Sequence, residues 1–405
     1  MGELVDRFRA FAQARAVAAS QPRPDPPEPR RPSSWPEGFA PVSGSQGTVL
    51  GRRTLVPLAV SESSGPWAER LARASLGPCS GWRFLDLETT GLSRGAGTRA
   101  FLVGLGTAEG DQLRIEQYLL PDLDPESERA LWGSVREELT KAQALVSFNG
   151  KAFDWPLVRD RFILSGLGDP PTLAHWDVLP AARRLWASLL GGSCDLRRLE
   201  AEVLGQGRGP DVAGADIPAL YVAWLDGDRS ALDGVLRHHL EDLRALAGVA
   251  LALEGALADG LPATAPAALW WGLGRLREQA GEAEAAVGAY LRSRAGGWRE
   301  AGPAAARLLK RLGRHEEAAA IWEAERRGPI PSLEAAEELA KHLEHRVRDP
   351  LRALGVVEDA LPWAVRAGGP RRGALERRMT RLRAKVERRR GGQDHGPAAA
   401  PRVGP

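Results

Sequence analysis

The stretch Arg83-Phe84-Leu85-Asp86-Leu87-Glu88-Thr89-Thr90-Gly91-Leu92 constrains this chain most, because it sets two carboxylates inside an apolar run. The run reads as a strand. Side chains alternate between strand faces, so Leu85 and Leu87 share one side while Phe84, Asp86 and Glu88 share the other. Two acids on one face repel, and at the end of a buried strand they stay charged only beside a cation. A divalent metal is the simplest such partner. Thr89-Thr90-Gly91 ends the strand in a turn and leaves both acids at its mouth. Taken alone, the same pattern also describes an exposed edge strand with solvated acids, so the rest of the chain has to decide.

At 405 residues, 43% hydrophobic and 26% charged, the chain has the composition of a soluble protein of two or three domains. Cys79 and Cys194 are its two cysteines. With no CxxC spacing they suggest a reducing, cytoplasmic setting rather than a metal site. Residues 1–20 break their apolar pattern with Glu3, Asp6, Arg7, Arg9 and Arg15, and no later segment resembles a membrane span, so no membrane partner is expected. The net charge is only +3, but basic residues crowd between Arg366 and Arg390. That density suits either a phosphate contact or a solvated, frayed helix.

Along the chain, residues 1–47 read as a weak helix over Met1–Ser20 followed by a proline-rich extended linker over Gln21–Gly47. Thr48–Ser80 holds a strand over Arg53–Val60 and a helix over Trp67–Ser75. The strand carrying Asp86 is followed by strands Ala100–Gly106 and Leu113–Leu120, a three-stranded antiparallel meander. Asp124 and Pro125 open a helix reaching about Lys141. Ala144–Phe148 is a fourth strand. The Asn149-Gly150 that follows suits either a hairpin or a strand-to-helix turn. Pro156 favours the turn, because it cannot serve an interior strand but fits a first helical turn, and this places Asp154 at a helix start. Leu173–Leu179 is a strand ending in Asp177. Helices over Cys194–Gly205 and Ile217–Leu225 precede a long one over Leu236–Leu257, on which His238 and Asp242 share a face as an ion pair or as part of a site. The sum is an α/β domain over 48–258, a mixed sheet flanked by helices. Beyond it, Gly281–Tyr290 and Gly313–Trp322 superpose at a spacing of about 32, with a looser copy at Asp349–Val357. Residues 262–365 therefore read as an all-α domain of short helical repeats near the tetratricopeptide length, with 366–405 a basic, partly disordered tail.

The order and spacing of the acids resemble the DEDD exonuclease superfamily, built on the ribonuclease H-like fold. Phe84–Leu92 is similar to its first motif, Asn149–Asp154 to its second and His238–Asp242 to its third. The likeness is closest to the bacterial YprB type, over roughly Gly81–Leu253, including Trp176-Asp177, Cys194–Leu199 and Asp216–Tyr221. One departure stands out: His238 lies at the spacing that relatives usually fill with Tyr, while Arg237 holds the usual His position. The resemblance implies two-metal phosphodiester hydrolysis, with Asp86, Glu88, Asp154 and Asp242 holding two Mg2+ or Mn2+ ions and Asp86 bridging them. His238 is the implied base, with His239 as a substitute. Thr89, Asn149 and Asp177 are substrate-side candidates, Asp177 and Asn149 serving equally as a surface acid and a turn residue. Two functions follow. One is a 3'-5' exonuclease on DNA or RNA, whose repeats dock a protein partner or guide nucleic acid. The other is a non-catalytic scaffold with a degenerate nuclease domain.

Overall fold

The structure is a computed structural model describing residues 35–58, 66–91, 97–328 and 331–393. The helix expected at Met1–Ser20, the linker up to residue 34, the end of the strand expected at Arg53–Val60, Leu92, and the tail past residue 393 lie outside those residues. The chain divides into two compact units, each described by itself. The first comprises Met1–Glu62, Leu76–Asp177 and Glu200–Gly248; the second comprises Ser63–Ser75, Val178–Leu199 and Val249–Pro405. The sheet domain is thus discontinuous, whereas the sequence suggested one unbroken span.

Seven strands form one sheet in the first unit. They are β1 (Ala40–Gly44), β2 (Gly47–Pro57), β3 (Trp82–Thr89), β4 (Ala100–Glu109), β5 (Gln112–Leu119), β6 (Ala144–Ser147) and β7 (Ala174–Asp177), in the order β1-β2-β5-β4-β3-β6-β7. The expected meander is β3-β4-β5, antiparallel throughout. β6 and β7 pair parallel to β3 and to each other, which makes the sheet mixed. β1 falls where the linker was expected to continue: Val42 and Val49 pair across a tight turn at Gly47, whose φ of 127° suits glycine. Since β2 then pairs with β5, this hairpin extends the sheet by two strands.

Helices cover the sheet of the first unit. These are α2 (Pro125–Thr140), α3 (Asp154–Leu164), α6 (Ile217–Leu225) and the first part of α7 (Asp233–Ala258). A core of Leu85, Leu87, Phe101, Val103, Trp132, Phe162, Tyr221 and Trp224 fills the space beneath them. Phe101 and Tyr221 stack there at 4.1 Å, and the Tyr221 hydroxyl donates to the Leu120 carbonyl. α7 approaches β4 closely because position 104, opposite Asp86 in register, is glycine. A Cβ there would collide with His239 and Leu243 of α7.

In the second unit, α1 (Pro66–Ala72), α4 (Leu179–Trp186) and the later part of α7 accompany a run of helices. The run is α8 (Ala267–Gln279), α9 (Ala283–Ala295), α10 (Ala301–Arg311), α11 (His315–Arg326), α12 (Leu333–His342), α13 (Pro350–Ala367) and α14 (Pro370–Gln393). Each packs on the next. The short α5 (Leu196–Glu202) spans the boundary between the units. The basic tail is not a frayed end, at least to residue 393. Leu375, Leu382 and Val386 of α14 are buried in the helical core, and its cations find acids. A π-helical turn at Leu343–Val347 presents Glu344 to Arg378, Arg381 and Lys385, at 2.6, 2.9 and 2.6 Å.

Two predictions follow. Gly104→Ala should destabilise the fold by about 1–3 kcal/mol, as core overpacking does, and lower its melting temperature in calorimetry. Burial alone would raise the Glu344 carboxyl, but the hydrogen bonds from Arg381 and Lys385 hold it down at about 2. A depressed acid stabilises the fold above its unfolded pKa, ordinarily 4.5, and that contribution disappears as pH falls toward 2. Glu344→Gln should therefore destabilise the protein by about 1–2 kcal/mol at neutral pH. It should also flatten the loss of stability between those two pH values, read from urea midpoints.

Candidate active site

β3 runs between β4 and β6, paired with β6 over Trp82–Phe84 and with β4 from Phe84 onward, so its side chains are fixed in register. Its alternation sends Trp82 and Phe84 into a cluster with Trp176, while Asp86 and Glu88 continue the same face past the apolar part. A register shift between Glu88 and Thr89 bulges the strand there, after which Thr89 pairs with Ala100. Both acids open on a cavity of about 670 Å3, which Thr89, Asp154, His238 and Asp242 also line. All five residues expected to do the chemistry thus meet at one place, with Thr89 beside them.

Asp154 reaches the cavity from the start of α3 through the turn after β6. Asn149 there adopts φ 66°, and a Cβ at Gly150 would strike Ser147. The Asp177 carboxylate holds this turn by accepting from the Asn149 amide at 2.8 Å and the Lys151 amide at 3.2 Å. Asn149 and Asp177 do not line the cavity themselves; they shape the turn that presents Asp154. The turn is a strand-to-helix connection, not a hairpin.

On α7 the two adjacent histidines face different surroundings. His239 is fully buried. Its Nδ1 accepts from the Gln117 amide at 2.9 Å, which leaves Nε2 to donate to the Asp86 carbonyl at 3.1 Å. Burial pushes its pKa down to about 3, so this ring stays neutral and braces the β3 backbone from behind. His238 faces the cavity. Its Nε2 lies 3.4 Å from Asp242 Oδ2 and 3.9 Å from Glu88 Oε1, while Nδ1 lies 2.8 Å from Asp211 Oδ1.

Asp211 and Arg208 are site residues that sequence reading missed. They sit in the connector between α5 and α6, a glycine-rich stretch with no periodicity to mark them. Arg208 is almost wholly buried and reaches Asp242 at 2.5 Å, Asp211 at 3.5 Å and, through Nε, Glu200. Burial works against the Asp211 charge, but the hydrogen bond with His238 and the nearby Arg208 hold its carboxyl below the usual range.

The other acids go the opposite way. Burial, then the charges of Asp242, Glu88 and Asp154, raise Asp86 far above an ordinary aspartate. Burial, with Asp242 and Asp154, lifts Glu88 to about 8; burial, with Asp177, lifts Asp154 to about 7. Asp242 is raised by burial even against His238 and Arg208. The donor set is therefore hard oxygen and short of positive charge, which fits divalent cations in kind. Among the described residues, however, no three His, Cys, Asp or Glu side chains stand close enough together to hold an ion as they are placed. The remaining wall of the cavity is largely apolar, with Leu87, Phe153, Leu157, Ile163, Leu164 and Ile217.

Among the described residues, no helix is long and apolar enough to cross a membrane. A sequence model of the RNase H superfamily matches residues 83–253, a span containing β3, both histidines and all four acids. The uncharacterized protein YprB of Bacillus subtilis (strain 168) is 31% identical over 310 residues, covering 75% of this chain and 74% of YprB. With a mixed sheet flanked by helices and a helical region after it, the chain belongs to the RNase H superfamily, in the company of YprB.

Proposed function

We propose that this protein is a metal-dependent nuclease of the DEDD exonuclease type, hydrolysing phosphodiester bonds of DNA or RNA from the 3' end. The supporting observation is the gathering of Asp86, Glu88, Asp154, Asp242 and His238 around one cavity in which the acids are held above their ordinary range. Crowding buried acids weakens a fold unless a cation compensates, so the arrangement makes sense as a cation site. Asp86, Glu88, Asp154 and Asp242 would hold two Mg2+ or Mn2+ ions, which when bound supply positive charge to a phosphodiester and acidify water. His238 turns Nε2 toward the cavity and would accept the proton of the attacking water. Thr89 would touch the substrate, Asn149 and Asp177 would act from behind through the Asp154 turn, and the apolar wall would exclude water. The 3' polarity rests on the family resemblance.

The helical unit, read as tetratricopeptide-like repeats, would dock a protein partner or guide nucleic acid. Two buried cysteines without disulfides suit a cytoplasmic setting. A non-catalytic scaffold is the second reading. Arg208 favours it, because a guanidinium already 2.5 Å from Asp242 partly does the work of a metal.

The deciding experiment is cleavage of 5'-labelled single-stranded DNA and RNA in Mn2+. A ladder shortening from the 3' end, reduced at least about 10²-fold in Asp86→Ala and Asp154→Ala, is expected. Wild type as inactive as those variants on single strands and duplexes would leave the scaffold. A second measurement needs no substrate. Mn2+ should raise the melting temperature of wild type and not of Asp86→Asn. In metal-free buffer, Asp86→Asn should itself melt higher than wild type, because it removes a carboxyl whose ionisation burial and the neighbouring acids oppose.

A further inference from the structure

We infer that Asp211 is a positioning residue for His238, forming an aspartate-histidine pair that fixes which ring nitrogen faces the cavity. The inference deepens the nuclease reading and rests on it for its kinetic consequence, though not for its geometry.

An imidazole can accept a proton at Nε2 only when that nitrogen keeps its lone pair, which requires the ring proton to sit on Nδ1. A free imidazole on a helix has no reason to hold that tautomer or that rotation. His238 is not free. Asp211 Oδ1 lies 2.8 Å from Nδ1, a normal hydrogen-bond length, and a carboxylate can only accept there. The proton is thereby placed on Nδ1, and Nε2 is turned to the cavity between Glu88 and Asp242.

The Asp211 carboxylate is itself held. Its side chain is 4% exposed, its Oδ2 faces the buried Arg208 at 3.5 Å, and its Oδ1 also accepts from the Val212 amide at 2.9 Å. Arg208 in turn is anchored by Glu200, which also receives Arg244 at 2.8 Å. The groups facing the imidazole are therefore Asp211 from the connector, Asp242 from α7 and Glu88 from β3. Of these, Asp211 alone contacts Nδ1 within hydrogen-bonding distance among the described residues.

The same pair accounts for the unusual place of histidine in the third motif. A histidine four rather than five residues ahead of the motif aspartate starts from a different point on the helix, so its ring needs a different brace. Here the brace comes from the connector between α5 and α6.

The test is long-range 1H–15N correlation on the full chain labelled with 15N-histidine, at mildly alkaline pH in Mg2+, with His238→Gln identifying the resonance. The expected result is a proton on Nδ1 and none on Nε2 in wild type. In Asp211→Asn, whose amide can donate to Nδ1, the tautomer should invert; in Asp211→Ala it should lose its fixed state. A wild-type ring protonated at Nε2, or a tautomer unchanged by Asp211→Asn, overturns the inference whether or not the protein cleaves anything. On oligonucleotides, kcat of Asp211→Asn should fall by about 10²-fold or more with KM little changed, and the Mn2+ melting shift should persist. Loss of that melting shift would mean that Asp211 acts on the acids instead, and would also overturn it. A wild type that shows the Nδ1 tautomer but cuts no substrate would count against the nuclease reading while upholding the pair.

Discussion

The constraint on which the site depends is that four carboxylates are taken from water into one cavity without an equal number of cations. Each is carried by an element that cannot easily retreat. Asp86 and Glu88 sit on a strand paired in register with β4, Asp154 on a turn pinned by Asp177, and Asp242 on a long helix wedged against Gly104. A lone carboxylate on a loop would swing into solvent. These stay, and their resistance to ionisation measures the strain. Rigid presentation of groups that repel one another is what a cation site requires before the cation arrives.

The second unit handles its charges in the opposite manner. Glu344 is buried as completely as any site acid, yet Arg378, Arg381 and Lys385 close on it, and its pKa falls where theirs rise. The arginine-rich tail, which by composition could have been a phosphate-binding arm, is instead spent largely on this and on pairs with Glu334, Glu337 and Glu358. The comparison shows that this sequence can neutralise a buried acid when it needs to. At the site Arg208 pairs directly with Asp242, and its charge opposes the rise of Asp86 without reversing it.

What could be read in the sequence was whatever is local. The alternation of β3, the strand-to-helix turn at Asn149-Gly150 with Pro156 behind it, and the shared face of His238 and Asp242 all follow from spacings of two to four residues. The hairpin of β1 and β2 was hidden because proline-rich composition dominated the reading, although proline does not exclude an edge strand beyond it. The acids that meet the tail's arginines were not legible because charge density says nothing about whether acids wait opposite. Arg208 and Asp211 were illegible for a different reason. Their partners in the site, His238 and Asp242, lie 27 or more residues away on α7, and only the closed fold shows that the connector meets that helix.

The paired histidines show how little separates a brace from a chemical group. Adjacent residues on a helix point about 100° apart, so a single-residue step turns a ring from the cavity to the sheet. His239, turned inward, is dry, neutral and held at both nitrogens, and its one service is to the Asp86 carbonyl. His238, turned outward, keeps one nitrogen for Asp211 and leaves the other among the acids. Neither could exchange roles without moving α7, which Gly104 locks against β4. The spacing of the third motif, odd by comparison with its relatives, is therefore set by where this helix crosses the sheet, and the connector supplies the partner that the crossing leaves within reach.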